Sequence, residues 1–174
     1  MQGNATRPGE KELDFDPGAE DDARLSFIGR IRTPWSRENC PKNVRKARET
    51  GQGACIEIRP ELVEGLEGLQ VGQGLMLIYW MHQARRDLIK QTPRHVEGAR
   101  GTFALRSPNR PNPVAMSAVT ITGLDLEKGL IEIDAIDCFD GTPLVDLKTW
   151  LPTVDMPESA FLIYDGAKNH SLEE

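Results

Sequence analysis

PVAMSAVTITGLDLEKGLIEIDAIDCFDG, residues 113–141, holds two alternating apolar and polar runs around a short turn with Gly129 at its end. Alternation with a period of two puts one face of each run toward a core and the other toward water, so this stretch reads as a β-hairpin. Working outward, LMLIYWMH (75–82) is a continuous apolar run, rich in branched and aromatic residues, of the kind expected of a central strand. LSFIGRIRT (25–33) and ACIEIRP (54–60) alternate again, GTFALRS (101–107) reads as a short strand, and PLVDLKTWLP (143–152) as a last short strand or turn. Residues 61–70, ELVEGLEGLQ, have the spacing of a short amphipathic helix weakened by Gly65 and Gly68. TPWSRENCPKN (33–43) is a polar loop, and the segment 83–100 is basic and irregular. Six to seven strands and one weak helix predict a mainly β chain, a barrel or a sandwich, in a single compact domain with little helix.

The composition fits that reading. The chain has 174 residues and 19.4 kDa, enough for one domain with a core of its own, and is 39% hydrophobic and 28% charged. No apolar run approaches the length of a membrane span, and the N-terminus lacks the pattern of a secretion signal. Cys40, Cys55 and Cys138 are scattered and form no CxxC pair, which argues against a zinc or dithiol site and suits a reducing, cytoplasmic setting. With His82, His95 and His170 also dispersed, no metal site is expected.

Charge is uneven. Residues 1–23 carry 2 basic and 7 acidic side chains, residues 24–110 carry 16 and 8, and residues 111–174 carry 3 and 12. The first stretch is acidic, rich in Gly and Pro and poor in large apolar groups, so a disordered acidic tail is expected over 1–23, with a C-terminal extension over 156–174. The basic middle is read either as a face for an anionic ligand or nucleic acid, or as one half of charge pairing across the fold.

Three segments carry candidate chemistry. RSPNRPNP (106–113) has three prolines in six residues and is therefore stiff; it holds Arg106, Ser107, Asn109, Arg110 and Asn112 in one arrangement, either as a preorganised ligand loop or as a rigid turn with solvated arginines. DGTP (140–143) is either a turn whose Asp140 accepts ligand hydrogen bonds beside Gly141, or an Asx turn closing a strand. His82 and Gln83 follow the apolar strand, at a cleft rim or in a structural role. No GxGxxG follows a strand and no GxSxG occurs, which disfavours a Rossmann site and a serine hydrolase.

RSPNRPNPVAMS resembles the signature of the TsaA-like family, the TrmO-type tRNA methyltransferases, which runs approximately RSxxRPNPIGxS. FDGTPLVDLKTW resembles the family's DGTPVLDIKPY, FIGRIRTPW its N-terminal strand, CPKN its proline-arginine-glutamine loop, and the His82, Gln83 pair a family His-Gln. The order holds from about residue 26 to 155, so the domain is placed at 24–155. The resemblance implies an all-β barrel that binds S-adenosylmethionine, a homodimer with the ligand near the subunit interface, and methyl transfer to a threonylcarbamoyl-modified adenosine of tRNA. Carried over by motif, the ligand contacts are Pro41, Lys42, Asn43, His82, Gln83, Arg106, Met116, Asp140, Gly141, Thr142 and Pro143. No catalytic base is named. Asn43, Ala115, Thr149 and Trp150 depart from the pattern, and the extra C-terminal domain of bacterial members is expected to be missing. Rival expectations are a small-molecule methyltransferase and a non-catalytic S-adenosylmethionine sensor. In the homodimer, Arg85, Arg86 and Arg94 of two copies are expected to form one basic stripe for RNA.

Overall fold

The computed structural model describes residues 5–93 and 98–156. Arg94, His95 and nearly all of the expected C-terminal extension lie outside those residues.

Six antiparallel strands close into a barrel in the order β2–β3–β8–β7–β4–β9. They are β2 (Gly29–Arg32), β3 (Ala54–Ile58), β4 (Gly74–Trp80), β7 (Val114–Asp125), β8 (Leu130–Ile133) and β9 (Thr142–Thr149). A separate small sheet joins β1 (Lys11–Glu12), β5 (Leu88–Gln91) and β6 (Arg100–Gly101) in the order β1–β5–β6. The helices are short: α1 (Val44–Glu49) and α2 (Pro152–Asp155), with two 3-10 segments at Pro60–Leu66 and Thr102–Ala104. The mainly β barrel with little helix is therefore the observed architecture.

The inward residues are those the alternation selects: Ile31, Ile56, Leu75, Leu77, Ile121, Ile131, Ile133 and Leu144 are all at most 1% exposed and form one core. β7 is long enough to serve two neighbours. Its first part pairs with β4, Val114 opposite Trp80 through Thr120 opposite Gly74, and its last part with β8, with a bulge between Ile121 and Gly123 that bends it around the barrel. Closure comes from β9, which pairs with both β2 and β4.

Several local expectations are corrected. β8 ends at Ile133; residues 134–141 leave the ladder and cross the barrel end, burying Ala135, Ile136 and Cys138. The buried Cys138 is thus in a connection, not in a strand. Within 101–107 only Gly101 is in a strand, the end of β6; a 3-10 turn follows at Thr102–Ala104, where Thr102 is buried and bonds Leu88 O at 2.9 Å. The amphipathic stretch at 61–70 forms only the 3-10 segment, as its two glycines foretold. Helix α1 had no sequence signal strong enough to be read; Asn43 caps it by accepting from Lys46 N at 2.9 Å. Part of the stretch read by composition as a disordered tail, residues 6–18, lies against the basic segment. β1 pairs with β5, Pro17 is buried, and Glu12 pairs with Arg85 at 2.6 Å. Composition weighs only apolar burial, whereas this docking rests on hydrogen bonds and charge complementarity.

Candidate functional site

Strand direction brings the marked segments together. β2 ends where β9 begins, with Ile31 opposite Thr142, and β4 ends where β7 and β9 begin, with Trp80 opposite Val114 and Tyr79 opposite Leu144. The 33–43 loop, the 81–87 turn, the 102–113 loop and the 134–141 connection therefore all sit at one end of the barrel.

Hydrogen bonds tie them into one surface. The Trp35 indole N–H donates to Ile136 O at 2.9 Å, in a buried position, and Thr33 Oγ1 donates to Cys138 O at 3.0 Å. Arg37 spans three segments: it donates to Gln83 Oε1 at 3.0 Å and lies 5.7 Å from the centre of the Phe139 ring. Met81 N donates to Pro113 O at 2.8 Å, joining the His82 turn to the proline-rich loop.

The two arginines of RSPNRPNP have different duties. Arg110 is half-buried and staples its own loop, donating to Ser107 O at 2.9 Å and to the carbonyls of Leu105 and Thr102. Arg106 is exposed and gives one N–H to Met116 O at 2.9 Å, which leaves most of its fork for a ligand. Arg110 is therefore not the solvated arginine of the rigid-turn reading. Met116 is 49% exposed on the outer face of β7, opposite Ile78.

The 140–143 segment is also divided: only Asp140 and Gly141 turn, whereas Thr142 and Pro143 open β9 and pair with β2. The Asp140 carboxylate is occupied: Thr33 N donates to Oδ1 at 3.1 Å and Arg32 approaches at 3.0 Å, so its observed role is that of a turn anchor. Thr142 Oγ1 is held by Phe139 O at 2.7 Å. Gly141 has φ +75°, a value glycine tolerates, and no atom lies within 4 Å of where a Cβ would stand, so the backbone is open to a neighbour. Pro143 is half-buried. Pro41 is half-buried, Lys42 is exposed, and Asn43 spends its oxygen on the α1 cap. His82 and Gln83 are exposed and face one another at 3.4 Å.

One residue escaped the sequence reading. Asp137 lies between Ile136 and Cys138, whose carbonyls are both pinned from the 33–35 segment. Burial pushes its carboxyl above the ordinary aspartate range, while its own backbone N–H and the Arg106 charge pull the other way. The same neighbourhood affects the thiols: burial lifts Cys40 to about 11 and Cys138 to about 12, with Asp137 adding to both. Beneath them Tyr79 Oη and Ser117 Oγ are 3.1 Å apart, and burial raises the Tyr79 phenol. The available signal was a carboxylate in an otherwise apolar run three residues before Asp140. Among the described residues no group of three or more His, Cys, Asp or Glu is placed to hold a metal ion, and no helix is long and apolar enough to cross a membrane.

Residues 30–156, most of the chain, match the tRNA-methyltransferase O N-terminal domain. The chain belongs to that family. It is 38% identical over 130 residues to a protein of Rhizobium radiobacter named a probable S-adenosyl-L-methionine-binding protein, VirR, covering 74% of this chain and 71% of VirR. It is 35% identical over 133 residues to a probable S-adenosyl-L-methionine-binding protein of Archaeoglobus fulgidus, covering 76% of this chain and 35% of that one. Among solved structures it resembles TrmO from Pseudomonas aeruginosa, with TM-score 0.62 and 28% identity, over 79% of this chain and 60% of the crystallised one. The chain thus spans under two thirds of that TrmO chain and about a third of the Archaeoglobus relative.

Proposed function

We propose that this barrel end binds S-adenosylmethionine and that the protein is a methyltransferase for RNA, with a modified adenosine of tRNA as acceptor. The observation that carries the reading is the convergence of four linked segments around Arg106, Asp137 and the open backbone of Gly141, in a member of the tRNA-methyltransferase O family. The names of the relatives support the ligand.

The residues fit such a molecule. The spare fork of Arg106 suits its carboxylate, the space beside Gly141 admits it against the main chain, and Met116 with Ile78 offers an apolar surface. Pro41, Lys42, Asn43, His82, Gln83, Thr142 and Pro143 complete the rim. Asp140 serves it indirectly, by holding Arg32 and Thr33. When bound, the cofactor supplies an activated methyl group. What the chain provides is orientation of an acceptor in line with that group and exclusion of water.

A homodimer is part of the proposal. Val114 and Met116 are exposed on β7, and their cross-strand partners Trp80 and Ile78 are half-buried, giving an apolar strip outside the barrel beside the loops. A second copy seated there would shield the ligand.

Calorimetry with S-adenosylmethionine, paired with labelled methyl donor and bulk tRNA, tests the reading. Binding with transfer is expected, and Arg106→Ala should weaken binding at least tenfold. Absence of heat at millimolar ligand refutes the site. Binding without transfer to tRNA favours a small-molecule acceptor or a sensor.

A further inference from the structure

Two of the arginines marked for RNA, Arg85 and Arg86, are covered by the chain's own acidic N-terminal segment. Arg85 forks onto Asp87, at 2.9 and 2.8 Å, and reaches Glu12 at 2.6 Å and Thr6 at 3.2 Å. Arg86 donates to Pro17 O at 2.8 Å and lies 5.5 Å from the centre of the Trp80 ring. Leu13 N bonds Asp87 O at 2.6 Å, and Thr92 Oγ1 bonds Pro8 O at 3.0 Å. Arg94 lies outside the described residues.

We propose that residues 6–18 are an intramolecular cover that competes with nucleic-acid phosphate for Arg85 and Arg86. The inference rests on the RNA reading above and adds its regulation. The chemistry of the cover indicates what the surface accepts: a carboxylate on Arg85 and a carbonyl on Arg86 occupy donors that equally suit phosphate oxygens.

The cover is built to be displaced. Its ladder is two residues long, is interrupted by a register shift, and sets Lys11 opposite Lys90, a like-charge pair. Its apolar anchorage is limited to one buried residue, Pro17: Leu13 is half-buried and Phe15 is 51% exposed. A cleft of about 700 Å³ remains between cover and surface, lined by Thr6, Glu12, Leu13, Phe15, Arg85 and Arg86 among others. Partly exposed ion pairs of this kind are weak and screened by salt, whereas a polyanion gains from counterion release at each neutralised phosphate.

The surface is coupled to the ligand site. Arg86 Nε donates to Pro111 O at 2.6 Å and its Nη2 to Asn112 Oδ1 at 3.2 Å, while Arg85 N donates to Asn109 Oδ1 at 3.2 Å. Whatever sits on these arginines therefore touches the loop that presents Arg106.

The test compares the full chain, a variant lacking residues 1–23, and the full-length triple variant Glu12→Gln, Asp14→Asn, Asp16→Asn. Binding of fluorescent bulk tRNA is measured by anisotropy from 50 to 300 mM salt, with circular dichroism checking the fold. Both variants should bind at least tenfold more tightly at low salt. In the deletion the log–log salt slope should steepen, by roughly 0.7–0.9 for each arginine that exchanges its cover contact for a phosphate. Adding the 1–23 peptide in trans should reverse the gain. If the deletion fails to fold, the triple variant carries the same expectation. Affinity unchanged in the folded variants overturns the cover, whatever transfer activity remains. Tighter tRNA binding without methyl transfer keeps the cover and removes the RNA-methyltransferase reading.

Discussion

Trp35→Phe isolates the contact that fastens the 33–43 loop to the barrel end. Trp35 is 7% exposed, and its indole N–H donates to the buried Ile136 carbonyl at 2.9 Å. Phenylalanine keeps an aromatic ring but removes the donor, leaving that carbonyl without its indole partner. An orphaned buried acceptor costs about 1–3 kcal/mol. The smaller ring also leaves a void of roughly 40 Å³, which at ~24 cal/mol per Å³ adds about 1 kcal/mol. A loss of about 3 kcal/mol would lower Tm by roughly 6–12 °C for a domain of this size. The loop should still find its place, because Asp140 N to Trp35 O and Thr33 N to Asp140 Oδ1 do not involve the indole. Urea unfolding followed by circular dichroism measures the loss, with an unchanged m-value as the sign that the compactness of the two states is unaltered. A loss below about 0.5 kcal/mol would mean that the carbonyl is satisfied by other means, and would refute the reasoning.

Gly29→Ala should destabilise at or above the roughly 1–3 kcal/mol typical of overpacking, since its Cβ would stand 2.2 Å from Glu57 O, a main-chain atom of β3 that cannot swing away; a loss under about 1 kcal/mol in urea unfolding would contradict the β2–β3 geometry. Arg110→Ala should loosen residues 105–113, seen as faster amide exchange there, and weaken S-adenosylmethionine binding although Arg110 is not proposed to touch the ligand. Asp137→Asn should raise stability near pH 7 and lose that advantage toward pH 3. Burial raises this carboxyl above 3.8, so the folded state holds the proton more tightly than the unfolded chain. Its contribution therefore favours folding below the unfolded value and declines as pH rises through the folded one; equal stabilities of mutant and wild type across that range would show that the group is not desolvated.

By itself the sequence determined the barrel's working parts. The alternation in 113–125 has the period of a strand, the apolar run at 75–81 is short and rich in branched and aromatic residues, and β4 and β7 appear where these predict. The proline-rich loop and the DGTP turn announced themselves because their backbone constraints are written in residue type. Which donors those segments would spend on each other was not legible. Asn43, Arg110 and Asp140 are drawn into capping, stapling and anchoring by partners that arrive only on folding, some from far along the chain. Asp137 stayed hidden because it matters through burial, which depends on the chain crossing the barrel end. Closure of β2 on β9 joins residues more than a hundred positions apart, and no local period encodes which edges meet. The acidic segment shows the same limit: its composition offered too little apolar surface to fold alone, and only the tertiary structure supplied Arg85 and Arg86 as the opposite charges and donors against which it rests.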